Sequence, residues 1–194
     1  MHFDKASAQI IRSVTQRGLY LQWDRLRNGR PMPLLNELEL DGRNHDAGQL
    51  SFCSVETGNG RSRYHVLREG SHMVAAYNSD WTGKYLDEVF PDHIKVSVLA
   101  AYDRCRESAC CVYTVSSVAD VAAKAVDCER LLLPVGTGAV VTHIVISLQL
   151  ISIEGGFVRQ NIFGCKSRPV DYSVMATVGP SVESAMSTPV TPPT

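Results

Sequence analysis

The chain has 194 residues, which is enough for one domain with a substantial core and too few for two full domains. Apolar residues make up 44% of it and charged residues 20%, so wholesale disorder is excluded. The 19 basic and 20 acidic residues leave a formal net charge of -1, and no overall positive field attracts nucleic acid or anionic lipid. We therefore expect a globular protein whose partners do not include nucleic acid.

The sequence predicts neither a signal peptide at its N-terminus nor a membrane-spanning segment. Charges occur within the first five residues, and the apolar core of a signal peptide does not follow them. The longest apolar run, 140–153, is interrupted by Thr142, His143, Ser147 and Gln149, and it is shorter than the roughly 20 apolar residues that cross a bilayer. We expect a cytoplasmic protein without membrane insertion.

The first predicted element is an amphipathic N-terminal helix over 7–27, where apolar residues recur at spacings of three and four. These residues are Ile10, Ile11, Val14, Leu19, Trp23 and Leu26. Because they offer more apolar surface than a free helix exposes, we expect the helix to mediate a homodimer. The alternative is that the helix folds back on its own sheet. Pro31 and Pro33 then end any helix and begin a linker to about Gly48.

Five strands and two helical segments follow the linker. The segments 50–56 and 61–69 flank the turn sequence Thr-Gly-Asn-Gly and predict a β-hairpin. A short helix is predicted between Gly70 and Thr82, and a long one over 92–107, where Ile94, Val98, Ala101, Tyr102 and Cys105 form one apolar stripe. The segments 111–118, 125–135 and 139–152 are rich in β-branched residues and predict three further strands.

The C-terminal residues predict a mobile tail. Ser, Thr and Pro supply ten of the sixteen residues from Gly179 onward, which leaves too little apolar surface to offset the entropy of ordering. We therefore divide the chain into an N-terminal helical arm, 1–30, a central domain, 31–155, and a C-terminal extension, 156–194, with the flexible tail from about residue 179.

This order of elements predicts an α+β fold. It is also the chain order of the PAS domain, a sensor fold in which helices are inserted after the second of five strands. Four segments resemble the short alphaproteobacterial PAS family of largely unknown function, over residues 19 to 150. They are GRPMP (29–33), Gly70-Ser71, DWTGKYLDEV (80–89) and CERLLLPV (128–135). The resemblance implies a five-stranded antiparallel sheet with short helices and one long helix on one face, in addition to the N-terminal amphipathic helix.

The resemblance implies a non-catalytic signalling or regulatory module that acts through protein–protein interaction with signalling proteins such as kinases. The alternative is a small-molecule sensor with a ligand between the sheet and the long helix. The segment 79–91 would then close over the ligand, and Tyr77, Trp81, Tyr102 and Arg130 would lie near it, because aromatic walls supply contact area and one polar group fixes orientation. The competing interpretation of these aromatic residues is plain core.

Two consecutive charges, Glu129 and Arg130, interrupt an apolar predicted strand, so alternation turns one of them toward the helices. A buried charge requires a partner or a polar ligand. The alternative places one residue on the solvent face and the other at the end of the sheet, with its charged head in water. His93, at the start of the long helix, is the nearest candidate for a haem ligand, but an exposed histidine is favoured because nothing else marks a porphyrin pocket.

The remaining motifs predict no catalysis, no cofactor and no metal site. The sequence lacks a Gly-x-Ser-x-Gly motif, a phosphate-binding glycine loop, a His-Glu-x-x-His motif and a kinase phosphoacceptor segment. Six cysteines occur without Cys-x-x-Cys spacing, so we expect reduced, mostly buried thiols. Cys110 and Cys111 would point to opposite faces of a strand, which makes chelation by both unfavourable.

Overall fold

A computed structural model describes residues 2–40, 47–58, 60–120, 122–152, 154–164 and 172–179. Its helices are α1 (Val14–Arg27), α2 (Leu35–Leu40), α3 (Ser71–Tyr77), α4 (Leu86–Val89) and α5 (Asp92–Ser108), with short 3₁₀ turns at Ala8–Ile10 and Ala47–Gln49. Its strands are β1 (Asp4–Ala6), β2 (Leu50–Gly58), β3 (Arg61–Arg68), β4 (Cys111–Ala119), β5 (Ala125–Thr137), β6 (Val140–Ile151) and β7 (Tyr172–Val178). The α+β class is therefore confirmed.

The described strands form one mixed sheet in the order β1-β7-β4-β5-β6-β2-β3. Strands β2 to β6 are the five predicted strands, and every pairing among them is antiparallel. The prediction of five strands is wrong because β7 pairs antiparallel with β4, and β1 then pairs parallel with β7. Both extra strands come from segments that the sequence placed outside the sheet.

The N-terminal helix is shorter than predicted. It begins at Val14, where the hydroxyl of the preceding Ser13 accepts a hydrogen bond from the backbone amide of Gln16 at 3.3 Å. Of its predicted apolar stripe, Leu19 and Trp23 are each only 2% exposed, because α1 packs against the sheet of its own chain. Leu19 and Trp23 are thus used inside the fold, as the alternative interpretation expected, whereas Val14 is 82% exposed. Whether the chain forms a homodimer stays a prediction.

The helices cover both faces of the sheet. On one side, the side-chain amide of the buried Gln16 in α1 donates to the backbone carbonyl oxygens of Glu129 and Ser147 at 3.1 and 3.0 Å. On the other side, α3 reaches the sheet through the hydroxyl of Tyr77, which accepts a hydrogen bond from Arg130. We call these the α1 face and the α5 face, since α5 packs over β4, β5 and β6 on the side of Arg130. Successive strand residues alternate between the two faces.

One hydrophobic cluster contains residues from all three predicted segments of the chain, among them Trp23, Leu132 and Phe163. The predicted flexible tail, apart from Gly179, lies outside the described residues. Gly179 itself follows β7, and its carbonyl oxygen accepts a hydrogen bond from the Tyr20 hydroxyl of α1. Across the described ranges, none of the helices is long and apolar enough to cross a membrane.

Candidate functional site

The segment between α3 and α4 forms a tight turn whose geometry explains its sequence. The Asp80 carboxylate accepts a hydrogen bond from the Thr82 amide at 2.9 Å, and the Lys84 amide donates to the Trp81 carbonyl oxygen at 2.9 Å. Gly83 is the third residue of that turn, with φ at +81°. A β-turn with a positive φ at this position favours glycine, which has no Cβ to clash. Asp, Thr and Gly therefore follow one another for conformational reasons.

This turn is held against the edge of the sheet. The Gly83 amide donates to the Val66 carbonyl oxygen at 2.8 Å, and the Val66 amide donates to the Lys84 carbonyl oxygen at 2.9 Å. A single bridge between His65 and Tyr85 continues the pairing. The turn thus occupies part of the outer edge of β3 and, at the same time, directs the Trp81 side chain into the α5 face, where it is 5% exposed.

An aromatic layer lies beneath the turn. The Tyr77 ring lies 4.3 Å from Trp81 and 4.6 Å from Phe163, measured between centroids. Phe90, between α4 and α5, contacts Trp81 edge to face at 5.2 Å and approaches Tyr102 at 6.4 Å. Three separate segments of the chain therefore converge on Tyr77 at the C-terminal end of α3.

The contribution of Phe163 was missed by sequence reasoning. The residues after β6 return to α3, where the amides of Asn161 and Phe163 donate to the carbonyl oxygens of Ala75 and Ala76 at 2.8 and 3.1 Å. These bonds add partners for carbonyl groups in the last turn of α3, where the Ala75 carbonyl oxygen also accepts a hydrogen bond from the Asn78 amide. The sequence signal was the apolar pair Ile162-Phe163 between a turn-forming asparagine and a glycine.

Polar groups lie between the aromatic layer and the sheet. The Arg130 side chain is 4% exposed, and its Nη2 donates to the Tyr77 hydroxyl at 3.2 Å. Tyr102 is fully buried, and its hydroxyl has no hydrogen-bond partner among the described residues. Burial raises the pKa of Tyr102 well above its usual value, while the positive charge of Arg130 acts in the opposite direction. Two side chains that can donate hydrogen bonds are therefore buried on the α5 face.

The sequence analysis missed two further groups near these side chains, Cys53 and Glu69. Burial, and then the charge of Glu69, raises the pKa of the Cys53 thiol. Burial raises the pKa of Glu69 to about 7, although the Trp81 amide, which donates to its Oε2 at 2.5 Å, acts to lower it. The next residue must be glycine, because a Cβ at Gly70 would lie 2.3 Å from the Gln49 carbonyl oxygen. That close approach holds Glu69 at the end of β3.

The structure brings all four predicted site residues into one group on the α5 face. Tyr77 and Trp81 are in ring contact, Arg130 bonds Tyr77, and Tyr102 lies within range of the Arg130 charge. Glu129 lies on the opposite face and is 1% exposed. The interpretation with one charge on a solvent face is therefore wrong, since both neighbours are buried. We call Tyr77, Trp81, Tyr102, Arg130, Cys53 and Glu69 the core polar cluster.

The other proposed ligands lie elsewhere. His93 is exposed at the start of α5 and outside the core polar cluster, as the non-haem interpretation expected. Within the described ranges, no three or more His, Cys, Asp or Glu side chains are grouped so as to hold a metal ion. No protein-family model, no curated protein and no solved structure matches this chain. Its function therefore has to be inferred from the geometry of its own residues.

A surface groove of about 570 Å³ lies along the outer side of α5. Its lining residues are His2, Phe3, Ala100, Asp103, Arg104 and Glu107. Hydrogen bonds orient two of these side chains. Asp103 accepts one from the Tyr64 hydroxyl at 2.6 Å, and Arg104 donates one to the Thr177 hydroxyl at 3.2 Å. One helical turn before Ala100, Val96 is 80% exposed. The groove is thus lined by two apolar residues, Phe3 and Ala100, and by charged side chains of which two are held by hydrogen bonds.

Proposed function

We propose that the chain is a non-catalytic signalling or regulatory module of the PAS type, that it acts by binding another protein such as a kinase, and that its core polar cluster responds to a small ligand. The chain order of strands β2 to β6, with helices inserted after β3, supports the PAS assignment. The observation that carries the functional proposal is the buried Tyr102 hydroxyl, which has no hydrogen-bond partner in the described part of the chain and lies within range of the Arg130 charge.

The chemistry of the cluster defines the class of ligand. A buried hydroxyl without a hydrogen-bond partner costs about 1–3 kcal/mol, and a ligand atom that accepts a bond from Tyr102 recovers part of that cost. Arginine binds planar carboxylates through paired hydrogen bonds. A small carboxylate, or another molecule rich in acceptor oxygens, therefore fits these donors better than an amine does. The aromatic side chains would supply apolar contact around it.

Entry of such a ligand requires movement of the Trp81 turn, because five of the six residues of the core polar cluster are buried and Glu69 is half-buried. Five hydrogen bonds identified above hold that turn: the two with Val66, the bond to Glu69, and the two internal bonds to Asp80 and to the Trp81 carbonyl oxygen. None of them involves a buried salt bridge, so opening the turn exchanges a few hydrogen bonds and the burial of one indole for contacts with the ligand. The turn is the covering element of the proposed sensor.

Thermal unfolding in the presence of simple carboxylates tests whether the core polar cluster binds such a ligand. Sodium acetate, succinate and benzoate are compared with sodium chloride at equal ionic strength, in the wild type and in Tyr102→Phe. We expect at least one carboxylate to raise the Tm of the wild type, by roughly 5–10 °C at about 100 times its Kd, and not that of Tyr102→Phe. Tyr113→Phe, on the α1 face, is the matched control and should respond as the wild type does.

Two results would contradict the proposal that a carboxylate binds the core polar cluster. If no carboxylate raises the Tm more than chloride does, the core polar cluster is plain core and only the interaction module remains. If Tyr102→Phe responds like the wild type, the carboxylate binds at another place on the protein.

The groove along α5 is the surface that we propose for the partner protein. Val96 is a largely exposed apolar residue, and an exposed apolar patch beside oriented charges is typical of protein-binding sites. A photo-crosslinking amino acid at position 96 tests this in cells. The control is the same amino acid at position 14, because Val14 of α1 is 82% exposed. We expect a crosslinked species from position 96 that position 14 does not give, and equal patterns would contradict the proposal.

A further inference from the structure

Three cysteines lie together where α5 joins β4, and the proposed function uses none of them. Cys105 is in the last turn of α5, Cys110 follows the helix, and Cys111 is the first residue of β4. Cys105 and Cys111 are fully buried, whereas Cys110 is half-buried. All three are free thiols.

The backbone turns back on itself at this junction. Ala109 adopts the left-handed conformation, with φ at 50° and ψ at 29°, and so ends the helix. The Ser108 hydroxyl donates to the Arg104 carbonyl oxygen at 2.7 Å and accepts a hydrogen bond from the Cys110 amide at 3.3 Å. After a helix that ends on a left-handed residue, the next side chain commonly packs back against the residue five positions earlier. For Cys110, that earlier residue is Cys105.

Electrostatic effects among the three thiols agree with this arrangement. Burial is the main cause of the raised pKa of Cys105, and Cys110 adds to it. The pKa of Cys111 is raised by burial and then by both Cys105 and Cys110. Each thiol therefore lies within electrostatic range of the others.

We propose that Cys105 and Cys110 form a reversible intramolecular disulfide, with Cys110 as the thiol that first reacts with oxidised glutathione. The Cys110 thiolate attacks one sulfur of the oxidised glutathione, which forms a mixed disulfide and releases one reduced glutathione. The Cys105 thiolate then attacks the Cys110 sulfur and releases the second. The two cysteines lose two electrons and two protons, and one oxidised glutathione becomes two reduced molecules.

The order of the two steps follows from exposure. Cys110 is the only one of the three thiols that solvent reaches, and Cys105 is too deeply buried to meet glutathione directly. The neighbouring pair Cys110-Cys111 is a poor alternative, because consecutive Cα atoms are about 3.8 Å apart and disulfides span about 4.4–6.8 Å. A bond between Cys105 and Cys110 would fasten the end of α5 to the start of β4.

The test uses the full chain equilibrated with mixtures of reduced and oxidised glutathione, then acid-quenched, alkylated and analysed by intact mass and tryptic peptide mapping. We expect the mass to fall by two hydrogen atoms before alkylation and two alkyl groups to be missing afterwards. Trypsin cleaves at Arg104 and Arg106, so a Cys105–Cys110 disulfide joins two otherwise separate peptides. Excess reduced glutathione should abolish the joined peptide.

Three variants accompany the wild type. Cys105→Ala and Cys110→Ser should each abolish the joined peptide, whereas Cys53→Ala, at a buried thiol elsewhere in the sheet, should retain it. The wild-type map decides the matter even if Cys105→Ala fails to fold. Unchanged thiols at every glutathione ratio, a lasting glutathione adduct on Cys110 without a joined peptide, or a bond between Cys110 and Cys111 would each overturn the proposal.

Discussion

Glu129 and Arg130 are neighbours in β5 whose buried side chains serve opposite faces of the sheet. The Glu129 carboxylate accepts a hydrogen bond from the Ser13 amide at the start of α1, at 3.1 Å. Arg130 donates to Tyr77 at the end of α3. Because consecutive strand residues alternate, one dipeptide supplies a buried anion to one helix layer and a buried cation to the other. The two charged side chains therefore bond to different helix layers on opposite faces of the sheet.

The first prediction concerns Glu129. Glu129→Gln keeps the size of the side chain but removes the charge that accepts bonds from the Ser13 amide and the Tyr113 hydroxyl. We expect a loss of about 1–3 kcal/mol in the free energy of unfolding, measured by urea denaturation. The control Glu107→Gln, whose side chain is 59% exposed, should change it by less than about 0.5 kcal/mol. Equal effects in both variants would show that α1 does not depend on this carboxylate.

The second prediction compares two buried tyrosines. Tyr102→Phe removes a hydroxyl that has no hydrogen-bond partner in the described part of the chain, so the free energy of unfolding should stay level or rise. Tyr113→Phe removes a hydroxyl that bonds Glu129 and the Arg12 amide, so it should cost about 1–3 kcal/mol. Urea denaturation of both variants measures the difference. A loss of more than about 1 kcal/mol in Tyr102→Phe would mean that its hydroxyl has a partner in solution.

The third prediction concerns pH. Burial raises the pKa of Glu69 from 4.5 to about 7, so between these values the folded chain holds a proton that the unfolded chain has released. The stability that this proton contributes is complete below about pH 4.5 and is lost as the pH rises through about 7. The Tm of the wild type relative to Glu69→Gln should therefore fall from about pH 5 to about pH 8. The charges that act on this carboxyl are Asp80 and Lys84.

A flat difference between wild type and Glu69→Gln over this range would contradict the assignment. Asp80 and Asp92 do not disturb the measurement, because their pKa values are lowered from 3.8 and their effect lies at more acidic pH. The variants Asp80→Asn and Lys84→Met should shift the midpoint of the Glu69 effect in opposite directions.

The fourth prediction uses the same substitution at two glycines. Gly83→Ala places a Cβ at a φ of +81° in the Trp81 turn and should cost about 1–2 kcal/mol. Gly18→Ala lies in the interior of α1, where a Cβ meets no atom within 4 Å, and it should stabilise by roughly 0.5–1 kcal/mol. Thermal unfolding distinguishes the two signs. A neutral Gly83→Ala would show that the turn is not held in this conformation in solution.

Local sequence patterns predicted the middle of the fold better than its edges. Strands β2 to β6 are long enough for alternation and turn residues to reveal them. β1 has only the residues Asp4, Lys5 and Ala6, and it is a strand because β7 lies beside it. The apolar spacing of the N-terminal segment continued through Ile10 and Ile11, but these belong to a 3₁₀ turn and the residue after it, so the helix began later than its pattern.

The sequence likewise predicted some residues of the candidate site and missed others. Tyr77, Trp81, Tyr102 and Arg130 were recognisable because large aromatic residues and a charge within a strand stand out in a sequence. Cys53 and Glu69 were not, since their pKa values are raised mainly by burial, and burial depends on residues that are distant in the chain. Phe163 was missed for a related reason, because its position depends on two backbone hydrogen bonds to α3 that no local pattern encodes.

The chain has two tryptophans, and the sheet separates them. Trp23 packs on the α1 face and donates from its indole nitrogen to the Pro134 carbonyl oxygen at 2.7 Å, while Trp81 lies in the aromatic layer of the α5 face. With Trp81→Phe or Trp23→Phe, the remaining indole therefore becomes a fluorescent reporter of one face alone. Changes in emission after the addition of a carboxylate or of oxidised glutathione would then reveal which side of the sheet has responded.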